Sequence, residues 1–258
     1  MERLSSELWQ QVNDVALWLH AQTDIEAIQH GSLETLMHLI PHDASFFDLC
    51  CVRDERLLFF NPMSTTIDDR SLSDYYQRYE LADYTRWCFT ADTPVVYRDS
   101  NMISDAAREQ SLIFREWMRP LEIYYSIGCT IVNKGTIYGS ITLFRSRDHG
   151  DFADEELAVL GELNKHLAVH FALLKPHGIF PGSGNEDMRA FAHENGLTER
   201  EADVMRLAAE GCTNREIGQE LFIAESTVKK HVNAIYRKLK VENRVQLMRS
   251  VYSAAADR

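Results

Sequence analysis

The sequence predicts an α+β protein of two domains, a mixed α/β domain with a mostly antiparallel sheet followed by a small all-helical domain. Strand-like and helical patterns both occur before residue 175, whereas only helical spacing occurs after residue 192. Residues 176–192 contain two of the six prolines and three of the twelve glycines, a composition typical of a linker. We therefore expect a regulatory domain at 1–175, a linker at 176–192 and a helical domain at 193–258.

The charge of the chain is distributed unevenly. The 258 residues carry 27 Lys and Arg against 39 Asp and Glu, a net charge of −12, which alone argues against a nucleic-acid partner. Residues 225–249, however, hold seven basic side chains and only two acidic ones. A compact basic segment beside an acidic domain is typical of a tethered nucleic-acid-binding module.

The first half of the N-terminal domain begins with helices. Apolar residues from Leu4 to Leu19 recur at the three-and-four spacing of an amphipathic helix. A second helix is predicted across Ile25–Leu39, ending near Pro41. Two strand-like runs follow at 44–52 and 56–60 and predict a hairpin.

The second half contains the clearest hairpin. Strand-like residues 126–132 and 136–144 flank the tripeptide 133–135 (NKG), whose glycine can adopt a positive φ. With a short strand at 94–98, the sheet has about five strands. A long helix at 154–174 then presents one broad apolar face, which packs on its own sheet or pairs with a second subunit.

Three short helices are predicted in residues 198–240. The first two begin with capping boxes, Thr198 with Glu201 and Thr213 with Glu216. The third begins near Glu225. The turn before it is so short that the second and third helices must pack at an angle to each other. This is helix-turn-helix geometry, which presents the third helix to a DNA major groove.

These residues resemble the LuxR-type DNA-binding domain. The resemblance runs through residues 197–201 (LTERE), 211–217 (GCTNREI), 225–232 (ESTVKKHV) and 238–244 (KLKVENR). It departs at Ala224, where the family usually has a Ser or Thr N-cap. It implies a four-helix domain whose last helix, 244–255, pairs subunits, and therefore a homodimer on promoter DNA. Packing of this helix on its own domain is the alternative, and it explains some of its apolar positions.

The resemblance also implies which side chains contact DNA. Base readout is assigned to Lys229, Lys230 and Asn233, and phosphate contact to Thr213, Thr227, Arg237 and Lys238, through hydroxyl groups and cationic head groups. Asn214 completes the predicted DNA-binding set. For any single lysine, a solvated helix face explains the charge equally well.

The N-terminal domain resembles GAF- or PAS-like sensing domains, including the autoinducer-binding domains of LuxR-type regulators. The resemblance is carried by residues 75–79 (YYQRY), 117–121 (WMRPL), 139–146 (GSITLFRS) and 152–157 (FADEEL). It implies an α/β sandwich that senses a small molecule.

Aromatic residues supply candidates for the sensory pocket, because small-molecule sites are largely apolar with a few polar groups. The acyl-homoserine-lactone group carries an Asp-Pro pair, but Asp83 is followed here by Tyr84, which disfavours that ligand. Each candidate also fits ordinary core packing. The predicted ligand-binding residues are Tyr75, Tyr79, Trp87, Trp117, Tyr125 and Cys129.

Other classes of function are weaker. The sequence has no phosphate loop, nucleophile elbow or zinc-protease motif, so we expect neither an enzyme nor a cofactor. His166 and His170, four residues apart, could share a helix face and bind a metal ion, but we predict no metal site. The five cysteines include no CxxC pair, so reduced thiols are expected.

We expect a cytoplasmic transcriptional regulator without a membrane segment. Its partners would be double-stranded promoter DNA, a small-molecule effector and, for an activator, RNA polymerase. The alternative is a regulator whose N-terminal domain dimerises or binds another protein and takes no ligand.

Overall fold

The computed structural model describes residues 4–53, 56–175 and 185–256. These residues fall into two compact units. One contains most of the N-terminal half and the long helix before the linker. The other contains the C-terminal helices together with residues 52–62 and 69–78. The linker residues 176–184 lie outside the described residues, and residues 185–192 are helical.

Among the described residues, the N-terminal half combines five α-helices with five strands and short 3₁₀ and π-helical turns. The α-helices are α1 (Ser6–His20), α2 (Ile25–Leu39), α3 (Asp69–Asp74), α4 (Asp105–Gln110) and α5 (Asp154–Leu174). The strands are β1 (Ala44–Arg53), β2 (Arg56–Met63), β3 (Val96–Arg98), β4 (Tyr125–Asn133) and β5 (Thr136–Arg145). The α+β prediction is confirmed.

The strands form one sheet in the order β2-β1-β5-β4-β3. Three of its pairs are antiparallel: β1 with β5, β5 with β4, and β4 with β3. The β4–β5 turn has positive φ at both Lys134 and Gly135, 49° and 79°. Two successive positive φ values define the type I′ turn that suits the twist of a hairpin.

The two faces of the sheet are distinguished by α5. A side chain at Gly161 of α5 would meet Val96 of β3 at 3.7 Å, and Val96 lies opposite Cys129 in the β-ladder. Cys129 therefore belongs to the face covered by α5, because directly opposite residues share a face. Trp117 packs edge-on against Phe144, with ring centroids 5.8 Å apart, and alternation along β5 places Phe144 on the other face.

The helix α5 contacts β4 and α1 through residues that are largely buried. By length and composition it is apolar enough to cross a membrane, and no other helix in the described ranges is. Its Asn164 donates to the backbone carbonyl of Thr130 in β4 at 3.0 Å. This packing is that of a helix in the core of a folded domain.

The C-terminal half is entirely helical. Its helices are α6 (Asn185–Glu194), α7 (Glu199–Ala209), α8 (Asn214–Glu220), α9 (Glu225–Leu239) and α10 (Arg244–Ala256). Buried aliphatic residues from all five helices form one core. Both predicted capping boxes are present, at Thr198 with Glu201 and at Thr213 with Glu216. Helix α6, which the linker composition concealed, was not predicted.

Candidate DNA-binding and sensory sites

Helix α9 has two chemically distinct faces. Its buried face consists of Val228, Val232 and Ile235. The opposite face exposes Lys229, Lys230, Asn233 and Arg237, which recur at the three-and-four spacing that aligns side chains along one stripe. The 15 residues of α9 give a rod of about 22 Å, and one side of it is cationic and open to solvent.

The turn between α8 and α9 depends on a glycine. Ile223 donates its backbone N–H to the carbonyl of Gly218 at 2.9 Å, and a Cβ on Gly218 would lie 2.8 Å from the Ile223 carbonyl oxygen. Phe222, the residue before Ile223, has φ of 54° and is almost fully exposed. The close approach fixes the angle between the two helices.

The start of α9 lacks a side-chain cap, as the sequence predicts. Ala224 has the extended φ of −65° and ψ of 144° expected at an N-cap, but no side-chain oxygen to accept the orphan N–H groups. Lys229 pairs with Glu225 one turn earlier, with 2.9 Å between Nζ and Oε1. Both side chains are exposed, so this pair contributes little to stability.

The start of α8 is firmly capped. Thr213 accepts the N–H of Glu216 at 3.3 Å and donates its hydroxyl hydrogen to Glu216 Oε2 at 2.9 Å. Next to it, Asn214 carries a buried Oδ1 that has no hydrogen-bond partner among the described residues. An amide that can both donate and accept therefore lies at the first position of α8.

Lys238 near the end of α9 is engaged within the domain. Its Nζ donates to Glu201 Oε2 at 2.6 Å and to the Gly196 carbonyl at 2.9 Å. Burial acts to raise the pKa of Glu201, but the hydrogen bonds from Lys238 and Thr198 outweigh it and lower that pKa to about 2. The capping carboxylate of α7 is thus an anion that holds the end of α9.

Helix α10 is anchored at its first turn by Arg244. The guanidinium is buried and donates to the carbonyl oxygens of Ala208, at 3.0 Å, and Cys212. Further along, and within the same compact unit, Arg249 donates to Asp69 Oδ1 at 2.7 Å and to the Pro62 carbonyl at 2.9 Å. One side of α10 therefore has partners inside the chain, and its role in subunit pairing stays a prediction.

The six sensory candidates do not share one environment. Trp87 is 56% exposed, so it lies at the surface. Cys129 is buried on the sheet face covered by α5, whereas Trp117 lies on the opposite face. Tyr125 stacks edge-on against Tyr124 at 4.8 Å. The side of the sheet that carries Trp117, opposite the side covered by α5, is our candidate for the pocket wall.

The remaining two candidates are the buried tyrosines at the ends of one π-helical turn, Tyr75–Tyr79. Tyr75 packs edge-on against Tyr76 at 5.0 Å. Tyr79 donates its hydroxyl hydrogen to Glu116 Oε2 at 3.3 Å. Each aromatic ring thus has a packing or hydrogen-bonding partner in the fold.

A buried polar group that the sequence did not reveal lies nearby. Arg108 and Asp99 are both fully buried, with 3.3 Å between Arg108 Nε and Asp99 Oδ2. Tyr84 donates to the same carboxylate oxygen at 3.0 Å and contacts Met118 Sδ at 3.9 Å. Burial raises the pKa of Asp99, and Arg108 opposes that shift.

The five cysteines are free thiols. Burial raises the pKa of Cys88 and Cys129 to about 12 and that of Cys212 to about 11, so these thiols are protonated at neutral pH and poorly nucleophilic. Within the described residues, no group of three or more His, Cys, Asp or Glu side chains is arranged to hold a metal ion.

Residues 195–251 match the profile of the bacterial regulatory proteins of the luxR family. They form a LuxR-type helix-turn-helix domain. The LuxR-type domain shares 53% identity over 57 residues with the transcriptional regulatory protein LiaR of Bacillus subtilis, covering 22% of this chain and 26% of LiaR. It shares 46% identity over 52 residues with the nitrate/nitrite response regulator NarL of Escherichia coli, covering 20% and 24%. The similarity spans about a quarter of these curated relatives.

The fold as a whole is similar to that of SdiA. Escherichia coli SdiA superposes with a TM-score of 0.51 at 17% identity, covering 96% of this chain and 98% of SdiA. A structure of SdiA in complex with octanoyl-rac-glycerol gives 0.53 at 16% identity, covering 98% and 97%. At this level of identity the similarity establishes the fold alone, an α/β region followed by a LuxR-type domain.

Within the LuxR-type domain, the structure exposes four of the eight predicted DNA-contacting residues, all on α9. Lys229, Lys230, Asn233 and Arg237 are exposed on one stripe. Thr213, Asn214, Thr227 and Lys238 are half-buried. Sequence analysis did not identify Gly218, whose role appears only once the close approach of its backbone is known.

Proposed function

We propose that this chain is a transcriptional regulator that binds promoter DNA as a homodimer through its LuxR-type domain. The exposed cationic stripe of α9 is the observation that supports the proposal most directly. An α-helix fits the major groove of B-DNA, where lysine and asparagine side chains reach base edges. The absence of catalytic motifs from the sequence fits a non-enzymatic, cytoplasmic function.

The proposed base-reading residues are Lys229, Lys230 and Asn233, on the second and third turns of α9. Lys229 can leave its exposed partner Glu225 at small cost, because such surface pairs contribute about 0 to 1 kcal/mol. Asn214 is proposed as a further DNA contact because it is the first residue of α8, beside Thr213, and its half-buried side chain carries an amide that can donate and accept.

The proposed phosphate contacts are Thr213, Thr227, Arg237 and Lys238. Arg237 is exposed and its fork of donors suits phosphate oxygens. Lys238 uses two of its three ammonium hydrogens within the domain, which leaves one donor for a phosphate. The hydroxyl hydrogen of Thr213 is donated to Glu216 Oε2 at 2.9 Å, so contact with a phosphate oxygen, which only accepts, requires that hydrogen to turn from Glu216 to the phosphate.

The DNA-binding proposal is tested by selecting duplexes from a random pool with the full chain and measuring affinity by fluorescence anisotropy. Lys230→Ala and Asn233→Ala should each weaken binding to the selected duplex by about 5- to 150-fold for each half-site that the dimer contacts, the 1–3 kcal/mol of a base contact. Arg115→Ala removes an exposed cation of the N-terminal half and should leave affinity unchanged.

The salt dependence distinguishes phosphate contacts from base contacts. If about six phosphates are neutralised per dimer, log affinity falls against log salt with a slope of about −5. Arg237→Ala should reduce the magnitude of the slope by about 2 for a dimer, whereas Asn233→Ala should not change it. A flat salt response in the unaltered protein would contradict the proposed interface.

We further propose that the N-terminal region binds a small apolar molecule with a polar head group. SdiA, which shares the fold, has been solved with octanoyl-rac-glycerol. Here the sheet face opposite α5 carries Trp117 and Phe144, and Tyr84, Asp99 and Arg108 form a buried polar group. Apolar walls with a few polar groups are the usual composition of a ligand site.

The ligand proposal is tested by thermal unfolding of the full chain with 1-octanoyl-rac-glycerol and a wider library of acylated compounds. A saturable rise in the midpoint is expected, because a ligand that binds only the folded state stabilises it. Trp117→Leu should reduce the rise, and the matched change Trp87→Leu, at an exposed position, should not. No rise with any compound would favour an N-terminal region that dimerises or binds another protein.

A further inference from the structure

Three histidines from distant parts of the sequence meet where α1 packs on α5. His20 closes α1, and His166 and His170 lie one turn apart on α5. Nδ1 of His20 lies 3.4 Å from Nδ1 of His170, and Nε2 of His20 lies 3.3 Å from Nδ1 of His166. We call these three residues the histidine cluster.

The contacts of the histidine cluster determine where its protons lie. Nε2 of His170 is 2.9 Å from the carbonyl oxygen of Gln22, which can only accept, so that nitrogen carries a proton. In neutral His170, Nδ1 is therefore an acceptor and Nδ1 of His20 must donate to it. Neutral His20 then accepts at Nε2, and His166 must donate from Nδ1.

The number of protons that the histidine cluster can hold follows from this series of hydrogen bonds. Each of the two nitrogen–nitrogen contacts holds one proton and the contact with Gln22 holds a third. One further proton can be added at the free Nε2 of His166, or by rearrangement so that His20 donates at both ends. A fifth proton would place two N–H groups against each other.

The surroundings also disfavour protonation. Burial lowers the pKa of His170, and its hydrogen bond to Gln22 only partly offsets this, while His20 lowers it further. Burial and His20 likewise lower the pKa of His166, with Glu162 raising it and Lys165 lowering it. Glu162 and Lys165 pair with each other at 2.7 Å, so neither provides an uncompensated counter-charge.

A metal ion does not fit the same geometry. His20 directs a different ring nitrogen to each neighbour, so the three rings do not converge on a point at the roughly 2.0–2.1 Å that zinc requires from each nitrogen. This agrees with the absence of a metal-ligand group among the described residues.

We propose that the histidine cluster is a proton sensor that couples the packing of α1 on α5 to pH, accepting one added proton but not two. His20 is exposed and His166 half-buried, so protons reach the cluster directly from solvent. Acidification loosens the contact between the two helices. Helix α5 ends just before the linker, and in the regulator proposed above, on which this consequence rests, the histidine cluster adds pH as an input separate from any ligand.

The proton positions are tested on the unaltered full chain by long-range ¹⁵N–¹H NMR of histidine side chains. At pH 7.5 we expect two histidines as the Nδ1–H tautomer, His20 and His166, and His170 as the Nε2–H tautomer. Assignment uses single His→Gln variants. Three independent histidines, all as the Nε2–H tautomer, would overturn the proposal.

The link to stability is tested by urea unfolding of the full chain at pH 7.5 and 5.5. Both shifted groups have pKa values below the roughly 6.5 of an unfolded histidine, so the unfolded chain binds more protons and stability falls as pH drops through that value. We expect one to two extra protons to be bound on unfolding. Between pH 7.5 and pH 5.5, the unfolding constant of the unaltered protein should therefore rise by about 10- to 100-fold more than that of the triple variant His20→Gln/His166→Gln/His170→Gln.

The matched control is His38→Gln, an exposed histidine on α2, which should retain the pH response of the unaltered protein. Other groups, such as His42 with its lowered pKa, remain in every variant and cancel from the comparison. If the triple variant does not fold, His166→Gln alone should reduce the response. An equal pH response in all variants, or stabilisation by Zn²⁺ that requires the three histidines, would overturn the proposal.

Discussion

Lys238 and Glu201 form an ion pair of 2.6 Å that joins the end of α9 to the N-terminal cap of α7. Glu201→Gln keeps the capping-box acceptor but removes the charge, and Lys238→Met removes the donor. Each should lower the free energy of unfolding by about 1 to 2 kcal/mol, near the value of a charge-assisted hydrogen bond. A double-mutant cycle in urea measures the coupling, and additive effects would exclude it.

The same ion pair predicts a dependence on acid. The pKa of Glu201 is lowered to about 2 in the folded chain, against about 4.3 when unfolded. Its stabilisation is therefore complete above that unfolded value and is lost as pH falls towards 2. Glu201→Gln should show a smaller loss of stability than the unaltered protein between pH 5 and pH 3.

The uncapped start of α9 can be repaired. Ala224→Ser supplies an oxygen at a position whose backbone already has N-cap geometry. We expect a gain of about 1 kcal/mol in unfolding free energy, measured by urea unfolding, with an unchanged salt slope for DNA binding. Ala224→Val, which adds bulk without an acceptor, is the control and should give no gain.

Two glycines in helices should respond in opposite ways to alanine. Gly218→Ala places a Cβ 2.8 Å from the Ile223 carbonyl and should cost about 1 to 3 kcal/mol through strain. Gly161→Ala meets only ordinary contact at 3.7 Å and should gain about 0.5 to 1 kcal/mol from helix propensity. Thermal and urea unfolding measure the change in unfolding free energy of each variant. No change in Gly218→Ala would contradict the close approach of Gly218 to Ile223.

The buried pair of Asp99 and Arg108 should be sensitive to the loss of one partner. Arg108→Met leaves a carboxylate without its counter-ion and should cost about 3 to 5 kcal/mol. Asp99→Asn combined with Arg108→Met removes both charges and should cost less than the sum of the single changes. Urea unfolding of the three variants gives the coupling energy, which would be near zero if the pair were unimportant.

Regular periodicity and capping chemistry made much of the fold predictable. The bounds of α2 and α5 agree with the predicted helices, because caps and apolar spacing are local signals. The hairpin of β4 and β5 was equally clear, since Gly135 marks its turn. Helix α6 was missed because glycine and proline residues just before it dominate the composition.

The sensory region was less predictable, because its arrangement depends on contacts between distant residues. No pattern around Arg108 indicates a fully buried guanidinium, and its partner Asp99 is identified only by the fold. The pair His166 and His170 was visible at helical spacing, whereas His20 meets them only through the packing of α1. Aromatic composition selected Trp87, which is exposed, because composition does not report which way a side chain points.

The pairing of β1 with β5 joins residues a hundred positions apart, with Ala44 opposite Phe144. Such a sheet cannot form early, because closing a long loop costs chain entropy before any pairing compensates for it. During synthesis, the edge of β1 that pairs with β5 therefore stays unpaired until β5 has emerged from the ribosome. A chain interrupted before residue 136 would expose the unpaired edge of β1 with its neighbouring Phe46 and Phe47, a segment prone to aggregation.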